Sequence, residues 1–142
     1  DEDIEAQTHG TVGAVALDNN GELAAATSTG GTLGKLHGRV GDTPIIGAGT
    51  WADSDVAVSC TGIGEYFIRT GAALAVAYKV KAGIALGQAI DEVLADIKHL
   101  GGDGGIIAVS SLGEIEMRYN TDGMKRGSVD HAGNVIVTTF DK

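Results

Sequence analysis

Gly10-Thr11-Val12-Gly13-Ala14-Val15-Ala16-Leu17-Asp18, continued by Asn19-Asn20-Gly21 and Leu23-Ala24-Ala25-Ala26-Thr27-Ser28, is the stretch on which the fold turns. Two runs of small apolar residues flank a turn rich in Asp, Asn and Gly, the pattern of a β-hairpin. Both runs are apolar on both faces, so the hairpin belongs inside a layered structure rather than at a solvated edge. A turn centred at Asn19 or Asn20 sets residue 11 opposite 28 or 29, and Thr29 is therefore expected beside Thr11.

Upstream, residues 1–10 are acidic, polar and aperiodic, which reads as a linker. Downstream, a glycine-punctuated loop from Gly30 to Asp42 has a length usually kept for function in a compact domain. Strands are expected at about Ile45 to Thr50 and Val56 to Cys60. Residues 64–80 lack proline and are almost continuously apolar, predicting one buried helix. Leu86, Ile90, Val93, Leu94, Ile97 and Leu100 recur at helical spacing opposite Gln88, Asp91, Glu92, Asp96 and Lys98, and Gly101-Gly102 is the expected stop. Gly105 to Ser110, Glu114 to Tyr119 and Val135 to Thr139 read as a last group of strands. Strands, helices, strands is an α+β order with a single helix layer, which leaves one apolar sheet face in need of a cover.

Composition narrows the function. A formal charge of −9 disfavours nucleic acid or an anionic membrane as partner, since both need a basic face. Twenty-three glycines in 142 residues are roughly twice the average usage of about 7%, and with a single proline they point to turns and close backbone approaches rather than a disordered linker. Cys60 stands alone inside an apolar run, so it reads as a small core residue in a reducing compartment. No run approaches the roughly 20 apolar residues that span a bilayer, and no basic-then-apolar leader opens the chain. A cytoplasmic protein is the resulting expectation. The chain opens on Asp1 without methionine, as expected of a processed piece or fragment of a longer protein. His9, His37, His99 and His131 show no metal-ligand spacing with Cys60 or each other, and no metal is assigned. Gly101 to Gly105 precedes a strand instead of following one, which rejects a dinucleotide-binding turn.

Several residues have the right chemistry for a site, each with a plainer reading beside it. Thr11 directly follows a glycine; freed by cleavage of that bond, it would hold nucleophile and base in one residue, its α-amine having an ordinary pKa of about 7.7–8.0. Taken alone, a threonine opening a strand is β-propensity. Thr29 is either a hydroxyl that orients Thr11 or an ordinary strand-end residue. Arg39 and Asp42 match the two charges of an α-amino acid, guanidinium for carboxylate and carboxylate for ammonium, or form a surface ion pair with one another. Thr61-Gly62-Ile63-Gly64 lies where a strand gives way to a helix, so its N–H groups and the Thr61 hydroxyl suit an oxyanion hole; the alternative is helix capping by Thr61. Trp51 and Tyr66 read as packing residues.

In sequence order, Gly10 to Asp18, Ser28-Thr29-Gly30-Gly31, Gly38-Arg39-Val40-Gly41-Asp42 and Ser59-Cys60-Thr61-Gly62-Ile63-Gly64-Glu65 resemble the N-terminal-nucleophile hydrolases of the plant-type asparaginase and isoaspartyl peptidase family. The resemblance runs nearly from Thr11 to Asn120. It implies an αββα sandwich, of which this chain is about half: residues 1–10 as the linker tail of the α subunit and 11–142 as the catalytic β subunit. It further implies cleavage between Gly10 and Thr11, catalytic roles for Thr11, Thr29, Thr61 and Gly62, and substrate binding by Arg39, Asp42, Gly62 and Gly64. The implied reaction is hydrolysis of L-asparagine and β-aspartyl dipeptides through an acyl-Thr11 intermediate. The implied partners are the α subunit of the same precursor and an (αβ)2 assembly. No cofactor is implied, and the family's sodium-binding loop belongs to the α half. Asn120-Thr121-Asp122-Gly123-Met124-Lys125-Arg126 resembles a family segment near the pocket. Val12 favours this branch over the glycosylasparaginases, which remain the runner-up. Asp42 separates the chain from the threonine-aspartase endopeptidases, which lack that carboxylate. An inactive, uncleaved precursor fragment or a glycine-rich binding domain is the reading from outside the enzymes.

Overall fold

The computed structural model describes residues 10–140; the linker expected over residues 1–10, Gly10 apart, and His9 lie outside them. Strands β1 (Val12–Leu17) and β2 (Leu23–Ser28) form an antiparallel hairpin with Val12 opposite Ser28. Asp18 fastens the turn, its Oδ1 accepting the N–H groups of Asn20 and Glu22 at 2.8 Å each. Continuing this register past the strand ends sets Thr11 across from Thr29, as the turn position predicts.

A four-stranded antiparallel sheet follows in the order β3 (Thr50–Ala52), β4 (Val56–Gly62), β5 (Gly104–Ser110) and β6 (Ile115–Tyr119). Helices α1 (Gly64–Thr70), α2 (Ala72–Lys81) and α3 (Leu86–His99) lie between β4 and β5. A separate hairpin, β7 (Arg126–Val129) with β8 (Val135–Thr138), ends the described chain. The fold is mixed α/β.

Side-chain alternation along β4 sorts the layers. Val56, Val58 and Cys60 enter a buried core with Phe67, Val76, Ile90 and Ile97, so the helices cover that sheet face. Each of the larger side chains contributes about 1.5–3 kcal/mol by leaving water. On the other face Ser59 turns toward the hairpin: its Oγ lies 2.6 Å from Thr27 Oγ1, and a Cβ on Gly13 would stand 2.2 Å from it. Glycine at 13 is what lets β1 approach so closely. The hairpin's other face, with Val12, Ala14, Ala16, Ala24 and Ala26, is exposed. The two-sided cover expected from its composition is thus half met among the described residues.

Three expectations need correction. Ile45 to Thr50 is not a strand: Ala48 and Gly49 N–H bond back to Ile45 O, Gly47 takes φ 92°, and pairing begins at Thr50. The helix over 64–80 is two helices, broken where Gly71 adopts φ 58°, ψ 46°. The carbonyls of Gly47 and Ala48 accept from Leu74 and Ala73, so the loop that displaces the expected strand also caps α2. Strand β7 is absent from the sequence reading because Arg126-Gly127-Ser128-Val129 has neither length nor clear alternation. By contrast α3 and its stop at Gly101 (φ 93°) match, as does Cys60, a free thiol in the core whose pKa burial pushes well up. Trp51 and Tyr66 pack against that core. Among the described residues no helix is long and apolar enough to cross a membrane.

The hairpin-to-sheet contact makes a direct prediction. Gly13→Ala should destabilise the protein by about 1–3 kcal/mol in urea unfolding, the usual penalty for overpacking, and Ser59→Ala added to it should recover part of the loss by removing the colliding oxygen. An unchanged midpoint for Gly13→Ala would contradict the close approach.

Candidate active site

The open end of the hairpin, the glycine loop after β2 and the end of β4 enclose a cleft of about 470 Å³. Thr11, Thr29, Arg39, Asp42 and Gly62 line it together with Thr27, Gly30, Gly31 and Lys35. Thr61 and Gly64 flank Gly62 on either side in sequence but are not part of the lining, and Gly10 precedes Thr11 on the surface. The volume suits a ligand the size of an amino acid or dipeptide.

The hairpin register produces the first contact. Thr11 Oγ1 donates to Thr29 Oγ1 at 3.2 Å, long for a hydroxyl pair, and Thr29 Oγ1 also accepts the N–H of Gly31 at 3.0 Å. Gly31 reaches that position at φ 75°. One layer below, Thr27 Oγ1 donates to Gly49 O at 3.1 Å, so in its 2.6 Å contact the Ser59 hydroxyl must be the donor.

Arg39 and Asp42 behave differently from an ion pair. Arg39 Nε and Nη2 fork onto the two carboxylate oxygens of Glu65 at 2.8 and 3.0 Å. This uses one edge of the guanidinium and leaves the Nη1/Nη2 edge for another carboxylate. Nη1 lies over Gly41, where a Cβ would stand only 2.8 Å away. Asp42 is 6% exposed, and its Oδ2 is buried without a hydrogen-bond partner. Burial pushes its carboxyl above the ordinary range, against the opposing pull of the Asp42 and Thr43 N–H groups and Arg39. Gly64 is packed on this carboxylate, a Cβ there standing 2.9 Å from Oδ1.

At the strand-to-helix junction the N-cap of α1 is Ile63 and not Thr61, which removes the capping alternative. Ile63 N–H is already taken by Asp103 O at 3.1 Å, so the junction has fewer free donors than its sequence suggests. Gly62 adopts φ 151° with its Cα hydrogen pressed toward Asp103 O and Phe67, a conformation and space that exclude a side chain. Thr61 is half-buried on β4 opposite Gly105.

Two residues enter the picture that sequence reasoning did not single out. Glu65 lies in the first turn of α1, and nothing local announces its bond to an arginine 26 positions earlier. Lys35 lines the cleft with its Nζ donating to Gly30 O at 3.0 Å. Conversely, Asn120 is a staple: it accepts Gly104 N–H at 2.8 Å and donates to Leu94 O at 3.1 Å, and residues 120–126 do not line the cleft. Among the described residues no group of three or more His, Cys, Asp or Glu side chains is placed to hold a metal.

Comparison with known proteins identifies the family. The sequence profile of the family described as Asparaginase matches residues 1–138. The chain is 55% identical over 121 residues to a putative isoaspartyl peptidase/L-asparaginase of Dictyostelium discoideum, covering 84% of this chain and 35% of that protein. It is 52% identical over 137 residues to the isoaspartyl peptidase of Escherichia coli, covering 94% and 42% respectively. With the human isoaspartyl peptidase/L-asparaginase it shares 44% over 117 residues, covering 81% and 38%. The chain thus spans less than half the length of these relatives. A profile match over nearly the whole chain means that the chain belongs to the asparaginase family.

Proposed function

We propose that the full-length protein is an amidohydrolase that cleaves L-asparagine and β-aspartyl dipeptides, with this chain supplying the nucleophile and the aspartyl-binding groups. The observation that carries the reading is the Thr11 Oγ1 to Thr29 Oγ1 contact of 3.2 Å in the same cleft as a buried, unpartnered Asp42 Oδ2. The names of the relatives support it.

In this reading the chain is cleaved between Gly10 and Thr11, residues 1–10 being the tail of an α subunit and 11–142 the β subunit. The freed α-amine takes the Thr11 hydroxyl proton while Oγ1 attacks the substrate's β-carbonyl carbon. Thr29 orients that hydroxyl. The Thr61 hydroxyl and the Gly62 N–H stabilise the oxyanion, donors of this kind contributing about 3–4 kcal/mol each. The ammonium of Thr11 returns its proton to the leaving nitrogen as the C–N bond breaks, giving ammonia or an amino acid and an acyl-Thr11 ester. Water, activated by the same amine, hydrolyses the ester and releases aspartate. The free edge of Arg39 holds the substrate's α-carboxylate, and Asp42, with the carbonyls of Gly62 and Gly64, holds its α-ammonium. No cofactor enters these steps; the structural sodium of the family belongs to the α half. The same half supplies the missing layer of an αββα sandwich over the exposed face of the β1–β2 hairpin. Assembly as (αβ)2 and a cytoplasmic location complete the proposal.

An α-ammonium partner is testable by a cycle. N-acetylation of β-aspartyl-leucine should cost the parent far more in kcat/KM than it costs Asp42→Ala, since only the parent has an ammonium partner to lose. Equal losses would remove Asp42 from the site. Independently, a buried carboxylate oxygen without a hydrogen-bond partner, as Asp42 Oδ2 is, costs about 1–3 kcal/mol. A carboxyl with a raised folded-state value contributes stability in full below its unfolded value of about 3.9, and that contribution is lost as pH rises through the folded value. Asp42→Asn should therefore raise the unfolding midpoint at neutral pH by on the order of 2–4 °C, with the gain shrinking as pH falls toward 4. A destabilised Asp42→Asn at pH 7 would contradict the account of Asp42.

A further inference from the structure

A second groove of about 410 Å³ adjoins the cleft and shares Thr32, Lys35 and Arg39 with it. Its own walls are apolar, formed by Leu33, Leu36 and Ile63, with Glu65 also in the lining, forked onto Arg39. Leu33 and Leu36 are 66% and 83% exposed. The cations at its entrance differ. Arg39 is forked onto Glu65, whereas Lys35 donates to the carbonyl of Gly30 at 3.0 Å and to no carboxylate among the described residues. An ammonium has three donors, so at least one is uncommitted.

Position gives the groove a role. Gly30, which anchors Lys35, directly follows Thr29, whose hydroxyl touches Thr11. Lys35 thus lines both the cleft that holds Thr11 and the groove beside it, so a substrate whose α-substituents meet Arg39 and Asp42 in the cleft has the groove open to the group displaced from its carbonyl. We infer that this groove is the subsite for the leaving residue of a β-aspartyl dipeptide: Lys35 binds its terminal carboxylate, and Leu33, Leu36 and Ile63 receive an apolar side chain. The inference rests on the proposed reading of the Thr11 to Asp42 cleft as the aspartyl site. It adds a substrate preference, because asparagine releases ammonia and fills no such groove. Glu65, in the same lining, disfavours an acidic leaving side chain.

The test uses the full-length, processed protein with three substrates: L-asparagine, β-aspartyl-leucine and β-aspartyl-leucine amide. For the parent, kcat/KM for the dipeptide acid should exceed that for its amide about tenfold, the value of one charge-assisted contact. Lys35→Met should lower the ratio of kcat/KM for β-aspartyl-leucine to that for asparagine about tenfold and abolish the difference between acid and amide, while Lys35→Arg should retain most of both. Ratios between substrates are independent of how much protein is processed. An acid-to-amide gap that survives Lys35→Met, or a fall shared equally by asparagine and the dipeptide, would overturn the subsite. A parent that hydrolyses neither asparagine nor the dipeptide would instead fell the underlying reading, and the subsite with it.

Discussion

The close seat of the β1–β2 hairpin on β4 is the constraint from which the rest of the structure follows. Gly13 has no side chain, Ser59 Oγ fills the space a Cβ would take, and Ser59 donates to Thr27 at 2.6 Å. Thr27 in turn donates a hydrogen bond to Gly49 O, which also accepts Cys60 N–H at 2.9 Å. Gly49 in turn lies against the Asp42 backbone, a Cβ there standing 2.6 Å from Asp42 O. A short chain of buried polar contacts thus ties the strand carrying Thr11 to the loop carrying Asp42. In a low-dielectric setting such contacts hold geometry firmly when every partner is satisfied. Loosening one would shift both Thr11 and Asp42.

Against that satisfied network the charges of the cleft are left deliberately incomplete. Asp42 is buried with one oxygen unpartnered, a state that costs stability unless a ligand supplies the missing donor. Arg39 is held by Glu65 through one edge and keeps the other. Since the Glu65 carboxylate is oriented by the first turn of α1, the helix that follows Gly62 also sets the direction of the guanidinium. An orphan acceptor and a half-used donor in one cleft are complementary to a zwitterion. Their buried and directional character makes the cleft discriminating rather than merely adhesive.

Much of this arrangement is legible in the sequence where the cause is local. The Asp18 to Gly21 turn determines the register, and the register brings Thr11 to Thr29. Helix α3 is legible because five apolar positions repeat at helical spacing along it, Leu100 caps it and a glycine ends it. What is not legible depends on tertiary partners. Ile45 to Thr50 has the composition of a strand, but its carbonyls are needed to cap α2 and its glycines permit the turn. Gly71 looks like one small residue in an apolar helix until its left-handed conformation splits that helix. Arg39 and Asp42 are three apart and opposite in sign, yet the arginine chooses a carboxylate from a distant helix and the aspartate is drawn into the interior. Residue types at the site could be read directly; their pairings could not.

The central claim is that Thr11 becomes the nucleophile once its nitrogen is an amine, because an amide nitrogen cannot accept the hydroxyl proton. Glycine at position 10 suits the required acyl shift, since it shields its carbonyl least. Intact-mass analysis of the full-length protein alongside an aspartate-release assay measures both halves of the claim in one time course. The account predicts that activity rises in step with the fraction cleaved between Gly10 and Thr11 and is absent without cleavage; full activity in a preparation with that bond unbroken would contradict it.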